Sequence, residues 1–249
     1  MTASKMTSPL LAVVVTALNE GENILPVCRE IRTALEGLPP TEVIFVDDGS
    51  TDDTLQKLQE ARSTILPELR ILVHPSCLGK STALRTAIRA ARAPWIATMD
   101  GDGQDDPTFI HTMLEAALAH GEEPIGPLVV GIRRKRQDKL SRRLATRFAN
   151  GLRQHLLKDD CPDTGGPLKL FQRELFLSLP QFEGLHRFIP ALMKSYGAPL
   201  ICLETRHRPR LHGHSKYTNL HRALVGVRDM LGVLWLQNRT RRPPPLIER

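Results

Sequence analysis

Aromatic residues are scarce in this chain of 249 residues: Phe, Trp and Tyr together make up 4%. That argues against binding of single-stranded nucleic acid, which leans on aromatic stacking platforms. Cysteine is sparse too. Cys28, Cys77, Cys161 and Cys202 are scattered and form no C-x-x-C pair, which excludes a zinc ribbon and a thioredoxin-like centre. They read as reduced, half-buried thiols of a cytosolic protein. Long apolar runs are missing as well. None approaches the roughly 18 residues of a membrane span. The nearest, Ala223 to Leu236, is broken by Arg228-Asp229. The run Leu10 to Val15 is too short for the core of a secretory leader and leads into polar Asn19-Glu20, so no leader is expected. There is no internal repeat and no low-complexity segment.

What is present fits a globular fold. Hydrophobic residues make up 41% and charged residues 24%, enough for a full core and too apolar for a disordered chain. The formal net charge is +7. Such a surface attracts anions, whether nucleic acid, lipid headgroups or phosphorylated substrates, and charge alone does not choose among them.

Short β-branched runs alternate with helical spacing. Leu11 to Val15, Glu42 to Val46, Arg70 to Val73 and Trp95 to Met99 read as buried parallel strands. Between them, helices are expected over Glu22 to Leu35, from caps among Ser50-Thr51-Asp52-Asp53 to about Ala61, and over Lys80 to Ala91. A helix (Thr108 to Ala119), a strand (Leu128 to Ile132), a basic helix (Ser141 to Leu157) and a strand (Leu168 to Phe171) follow. Then come a helix (Gln172 to Ser178), a strand (Ile201 to Thr205) and a last helix (Leu220 to Leu236). The order predicts an α/β fold with a Rossmann-like, mostly parallel sheet flanked by helices.

Ligands of such sheets bind beyond the carboxyl ends of the strands. Asn19-Glu20, Asp47-Asp48 and Asp100-Gly101-Asp102 each follow a strand, so acids and amides converge on one edge. Glycine between two carboxylates lets the backbone approach a ligand, and Gln104 adds an amide oxygen. Hard divalent cations want such oxygens. The D-x-D-x-Q run lacks the remaining ligands of an EF-hand loop. Gly79-Lys80-Ser81 is not a P-loop, because the glycine required five residues earlier is His74. Lys80 still heads a helix, where a diphosphate can sit. His207, His212, His214 and His221 match no standard zinc spacing.

Taken together, Ala17-Leu18-Asn19-Glu20, Val46-Asp47-Asp48-Gly49-Ser50-Thr51-Asp52 and Met99-Asp100-Gly101-Asp102-Gly103-Gln104-Asp105-Asp106-Pro107 resemble glycosyltransferase family 2, which has the GT-A fold. The dolichol-phosphate mannosyltransferase branch and its bacterial polyprenyl-phosphate relatives are the nearer likeness. Gly131-Ile132-Arg133, Asp163-Thr164-Gly165-Gly166, His186 to Leu192, and His207-Arg208-Pro209-Arg210 through Gly213-His214-Ser215-Lys216-Tyr217 are similar to later blocks of that branch, although Ile132 replaces its usual small residue. The resemblance runs from about Leu10 to Leu236.

It implies an inverting, metal-dependent transfer of a hexose from a GDP- or UDP-linked donor to a polyprenyl phosphate. Asn19, Glu20, Asp48, Lys80 and Asp100 would surround the nucleotide and diphosphate. Asp100, Asp102 and Gln104 would hold Mg²⁺ or Mn²⁺. Arg133, Arg142, Arg143, Ser215 and Lys216 would meet the acceptor phosphate. Asp163 would orient the acceptor or act as a base, with Arg133 as its catalytic companion.

The transferase domain is expected over residues 1–218. An amphipathic helix follows at 219–239, carrying Leu224, Val227, Leu231, Leu234 and Trp235 beside Arg222, Arg228 and Arg239, with a loose tail at 240–249. That helix either packs on the domain or lies on an anionic membrane. The expected location is cytoplasmic, peripheral on the inner face of the plasma membrane, with no nucleic-acid partner. Two other readings compete: a transferase on the same fold, either a nucleotidyltransferase or one acting on a soluble or lipid hydroxyl, and a non-catalytic membrane- or anion-binding protein.

Overall fold

The computed structural model describes residues 8–121, 124–133, 151, 153–206, 208 and 219–240, the side chains of 219–224 excepted. The strands are β1 (Leu11–Ala17), β2 (Thr41–Asp47), β3 (Arg70–Val73), β4 (Trp95–Asp100), β5 (Leu128–Arg133), β6 (Lys169–Gln172) and β7 (Leu200–Thr205). The helices are α1 (Gly21–Ala34), α2 (Thr54–Thr64), α3 (Lys80–Ala90), α4 (Phe109–Leu118), α5 (Arg173–Ser178), α6 (Ile189–Ser195) and α7 (Asn219–Arg239). A 3-10 turn at Leu185–Arg187 precedes α6.

The strands form one sheet in the order β3-β2-β1-β4-β6-β5-β7. β6 runs antiparallel to β4 and β5, and every other pair is parallel. Both faces of the central strands β1, β2 and β4 are covered, which is why they are near-continuously apolar, whereas edge strand β7 alternates. In β1, Ala12 and Val14 join one core with Ala83, Ala87 and Ile88 of α3. Leu11, Val13 and Val15 join the other with Ile24, Val27 and Ile31 of α1. Each of the Val, Leu and Ile side chains among them contributes roughly 1.5–3 kcal/mol when fully buried.

The expected elements form, with instructive differences. The turn at Leu185–Arg187 and α6 went unread as helix, because Ile189, Pro190, Ala191, Leu192 and Met193 are all buried and leave no amphipathic period. The cap of α2 comes from one residue of the expected four. Asp52 accepts the N–H of Thr54 at 3.0 Å and of Gly21 at 3.2 Å, whereas Asp53, at the cap position, makes no side-chain cap bond. The cysteines also divide: Cys28 and Cys161 are buried, while Cys77 and Cys202 are exposed, and all four are free thiols.

On α7 the expected apolar face splits in two. Met230, Val233 and Leu234 pack on the core, and Gln237 Nε2 donates to Ala191 O at 3.0 Å. Val227, Leu231 and Trp235 stay exposed. Of the expected basic helix, 153–157 is helical and 141–150 lies outside the described residues. Among the described residues no helix is long and apolar enough to cross a membrane.

Candidate active site

β2, β1 and β4 are neighbours in the sheet, and their carboxyl ends are level. Thr16 pairs with Asp100 and Ala17 with Asp47. The three acidic turns read from the sequence therefore lie side by side.

Asn19 stitches the first two turns together. Its φ of 51° lies in the left-handed region, which asparagine enters more readily than most residues. Its N–H donates to Ser50 Oγ at 2.8 Å, and its Oδ1 accepts the Thr51 N–H at 2.7 Å. The Glu20 N–H donates to Thr54 Oγ1, and its carboxylate accepts from Asn23 Nδ2.

Asp48 is 4% exposed. Its oxygens accept the N–H groups of Leu78 and Gly79 at 3.0 and 2.8 Å. His74 Nδ1 lies 2.7 Å from Oδ1, and the other ring nitrogen meets Thr86 Oγ1 at 2.9 Å. Asp48 thus ties the loop leading into α3 to the end of β2. Gly49 permits this closeness. It has φ 75°, and a Cβ there would meet the backbone of Ser76 and Cys77 at 2.4 to 2.7 Å. From sequence alone His74 is only the residue that stands where a P-loop requires glycine. Its place after an apolar strand, level with Asp48, was the available signal.

The loop after β4 is folded by its own carboxylates. Asp105 Oδ2 accepts the Asp100 N–H at 3.1 Å, and Asp102 Oδ1 accepts the Gln104 N–H at 3.1 Å. Gly101 donates to Thr16 O, and a Cβ on it would stand 3.2 Å from Ala17 Cβ. Lys80, the first residue of α3, puts Nζ 2.5 Å from Asp100 Oδ1. Burial, with the charges of Asp100 and Asp102, pushes the Asp105 carboxyl up to about 7, against the pull of the Asp100 N–H and Lys80.

Crowded hard oxygens with that electrostatic cost fit a divalent cation. Among the described residues no three His, Cys, Asp or Glu side chains close a cage. A Mg²⁺-type ion is usually held by only one or two carboxylates and completed by phosphate.

The third cluster follows β5 and precedes β6. Arg133 grips Asp163 with two bonds, Nε to Oδ2 at 2.6 Å and Nη2 to Oδ1 at 2.8 Å. Burial would raise the Asp163 carboxyl, but the bonds and charge of Arg133 hold it below the usual carboxylate range. The two glycines of the loop leave room for this pair: a Cβ on Gly165 would meet Arg133 Nη2 at 3.1 Å, and one on Gly166 would meet Gly131 O at 2.9 Å.

Lys169 was missed by the sequence reading, which counted it as strand. It is 3% exposed, and Nζ donates to Gly166 O. Burial, helped by the charge of Lys80, lowers its pKa to about 8. Arg153 was missed as well. It is buried and bonds Asp159 and Thr164, bracing the loop that carries Asp163. Arg142, Arg143, Ser215 and Lys216 lie outside the described residues.

The profile of Glycosyl transferase family 2 matches residues 12–179. The chain belongs to that family. Over 237 residues it is 31% identical to the dodecaprenyl-phosphate galacturonate synthase of Rhizobium johnstonii, covering 94% of this chain and 69% of that protein. It is 28% identical to the undecaprenyl-phosphate 4-deoxy-4-formamido-L-arabinose transferase of Aeromonas hydrophila, covering 85% of this chain and 64% of the relative. The chain thus spans about two thirds of the length of these relatives. The fold matches glucosyl-3-phosphoglycerate synthase of Mycobacterium tuberculosis, solved with Mg²⁺ and uridine diphosphate, with a TM-score of 0.68 and 21% identity over 92% of this chain and 79% of that one.

Proposed function

We propose that this chain is an inverting glycosyltransferase that moves a hexose from a nucleotide-diphospho-sugar to a polyprenyl phosphate with the help of Mg²⁺ or Mn²⁺. The observation that carries it is the Asp100–Asp102 pair at the end of β4, with the Lys80 ammonium on Asp100. This is a donor set for a metal diphosphate beside a cation at a helix N-terminus. The names of the relatives with lipid-phosphate acceptors support the acceptor class.

Asp100, Asp102 and Gln104 would hold the ion, and Asn19, Glu20 and Asp48 frame the nucleotide side. A bound divalent ion neutralises the charge that develops on the departing nucleoside diphosphate. Lys80 adds a second positive charge at the same edge. An acceptor phosphate is already anionic at neutral pH, so it attacks the anomeric carbon without strong base help. Arg133 would meet that anion. A guanidinium has five N–H donors, and Asp163 takes two of them. Arg142, Arg143, Ser215 and Lys216 would complete the acceptor side.

A hydroxyl acceptor would instead need Asp163 as base. Its low pKa and its grip on Arg133 favour the phosphate. A polyprenyl acceptor implies contact with a bilayer, the exposed stripe of α7 supports peripheral binding, and the location we propose is the cytoplasmic face of the plasma membrane. The test is a panel of GDP- and UDP-sugars offered with a short polyprenyl phosphate and Mg²⁺ or Mn²⁺, scored for lipid-phosphate-sugar. Formation of that product with one donor, abolished by chelation and by Asp102→Ala, is the expected result. Metal-independent transfer, or undiminished transfer by Asp102→Ala, overturns the metal assignment. Binding to anionic vesicles with no turnover of any donor would make the chain a non-catalytic membrane protein.

A further inference from the structure

Arg208 lies three residues beyond the end of β7 and yet reaches the carboxylate loop after β4. Its guanidinium bridges two elements. Nη1 donates to Glu30 Oε1 on α1 at 2.6 Å, and Nη2 lies 3.1 Å from Asp106 Oδ2. Its backbone holds Gln104. The Arg208 N–H donates to Gln104 O at 3.1 Å, and the Arg208 carbonyl accepts from Gln104 Nε2 at 3.4 Å. Asp106 is fixed in turn by the N–H and hydroxyl of Thr108, at 3.2 and 2.6 Å, at the start of α4.

The bond to Gln104 has a chemical direction. A carbonyl accepts only from the nitrogen of the amide, so the nitrogen is turned toward Arg208 and the oxygen occupies the other edge. A hard cation takes oxygen. The bond therefore leaves the amide oxygen, the atom that a hard cation would take, on the edge turned away from Arg208.

We propose that Arg208 is a positioning residue for the metal: by spanning Glu30 and Asp106 it fixes the far end of the D-x-D-x-Q loop and the orientation of the Gln104 amide. This rests on the metal–diphosphate reading of that loop. Magnitudes separate the role from a general structural one. The Arg208 and Glu30 side chains are 38% and 33% exposed, and ion pairs that open to solvent are worth only about 0–1 kcal/mol of stability; Asp106 is 7% exposed but keeps its bonds from the N–H and hydroxyl of Thr108 when Arg208 is lost. Partners that orient metal ligands typically alter metal affinity about 10- to 100-fold. Losing Arg208 should therefore change how the enzyme uses metal far more than how it folds.

The experiment titrates Mn²⁺ against transfer by the full chain at saturating donor and acceptor. Electron paramagnetic resonance of Mn²⁺ binding is measured alongside it. Arg208→Ala is expected to raise the half-saturating Mn²⁺ concentration about tenfold, with the thermal midpoint nearly unchanged and partial rescue by Arg208→Lys. Unchanged Mn²⁺ affinity by both readouts overturns the inference, even if kcat falls. Should Arg208→Ala fail to fold, Glu30→Ala removes half of the bridge and leaves the loop side chains intact, and an unaltered Mn²⁺ requirement in that variant overturns it equally. If the unaltered chain neither binds Mn²⁺ nor transfers sugar, the metal reading of the loop falls first, and the role of Arg208 falls with it.

Discussion

Two side chains at the centre of the site make predictions of opposite kinds. Asp163 is held low by Arg133, so it is a poor base and a good anchor for a guanidinium. Asp163→Asn is expected to keep kcat within about tenfold, whereas removing a general base typically costs about 10²- to 10⁴-fold. Arg133→Ala should chiefly raise KM for the lipid phosphate. Steady-state kinetics with both substrates varied separate the two, and a kcat collapse in Asp163→Asn would restore the base. Lys169 makes a prediction about stability. Its pKa in the fold is about 8 against an ordinary 10.5. Between those values the unfolded chain carries a proton that the native chain has shed, so stability rises with pH across that window. The burial penalty is present below pH 8 and relieved above it, by an amount of order 3 kcal/mol at about 1.36 kcal/mol per pH unit. Denaturant midpoints measured from pH 7.5 to 10.5 should climb for the native chain, and the rise should be lost in Lys169→Met.

At the scale of elements, the turns after β2 and β4 matter more than the strands that carry them. Gly49 combines a positive φ with backbone contact against residues 76 and 77. Gly37 has φ 82° and nothing within 4 Å of an added Cβ. Gly37→Ala should therefore lose only the roughly 1–2 kcal/mol of left-handed strain. Gly49→Ala should lose several kcal/mol, since the loop that Asp48 holds must move, and nucleotide binding should weaken with it. Equal thermal shifts for the two variants would contradict this. The same contrast explains what was legible beforehand. Strands such as Leu11–Ala17 announce themselves by unbroken apolar runs, and the carboxylates stand where a parallel sheet must put its ligands, so the order of elements and the Asp100-Gly101-Asp102 turn could be read directly. Lys169 could not, because a lysine on a short strand looks solvent-facing until the loop carrying Gly166 takes up its ammonium. Arg208 could not either: its partners Glu30, Gln104 and Asp106 are remote in sequence and meet only in the folded chain. α6 escaped because a helix buried all round carries no period.

At the scale of the whole molecule, the proposed lipid acceptor requires a surface that meets a bilayer. α7 presents Val227, Leu231 and Trp235, each more than half exposed, at successive four-residue steps along one face. Exposed Arg228 and Arg239 flank that stripe, and the chain as a whole carries a net charge of +7. An apolar ridge beside arginines suits the headgroup boundary of an anionic bilayer. Burying a Leu or similar side chain yields roughly 1.5–3 kcal/mol, so two such residues decide whether binding is measurable. Leu231→Ser with Trp235→Ser should abolish flotation with anionic vesicles while leaving transfer to a detergent-dispersed short-chain acceptor intact. High salt should weaken flotation of the unaltered chain, because the arginine attraction is screened. Trp235 supplies an internal reporter. The only other tryptophan, Trp95, is 9% exposed within β4, so a blue shift on adding vesicles would come from α7. Vesicle binding that survives the double substitution, or emission that does not move, would take the membrane away from α7 and leave the stripe to a protein partner.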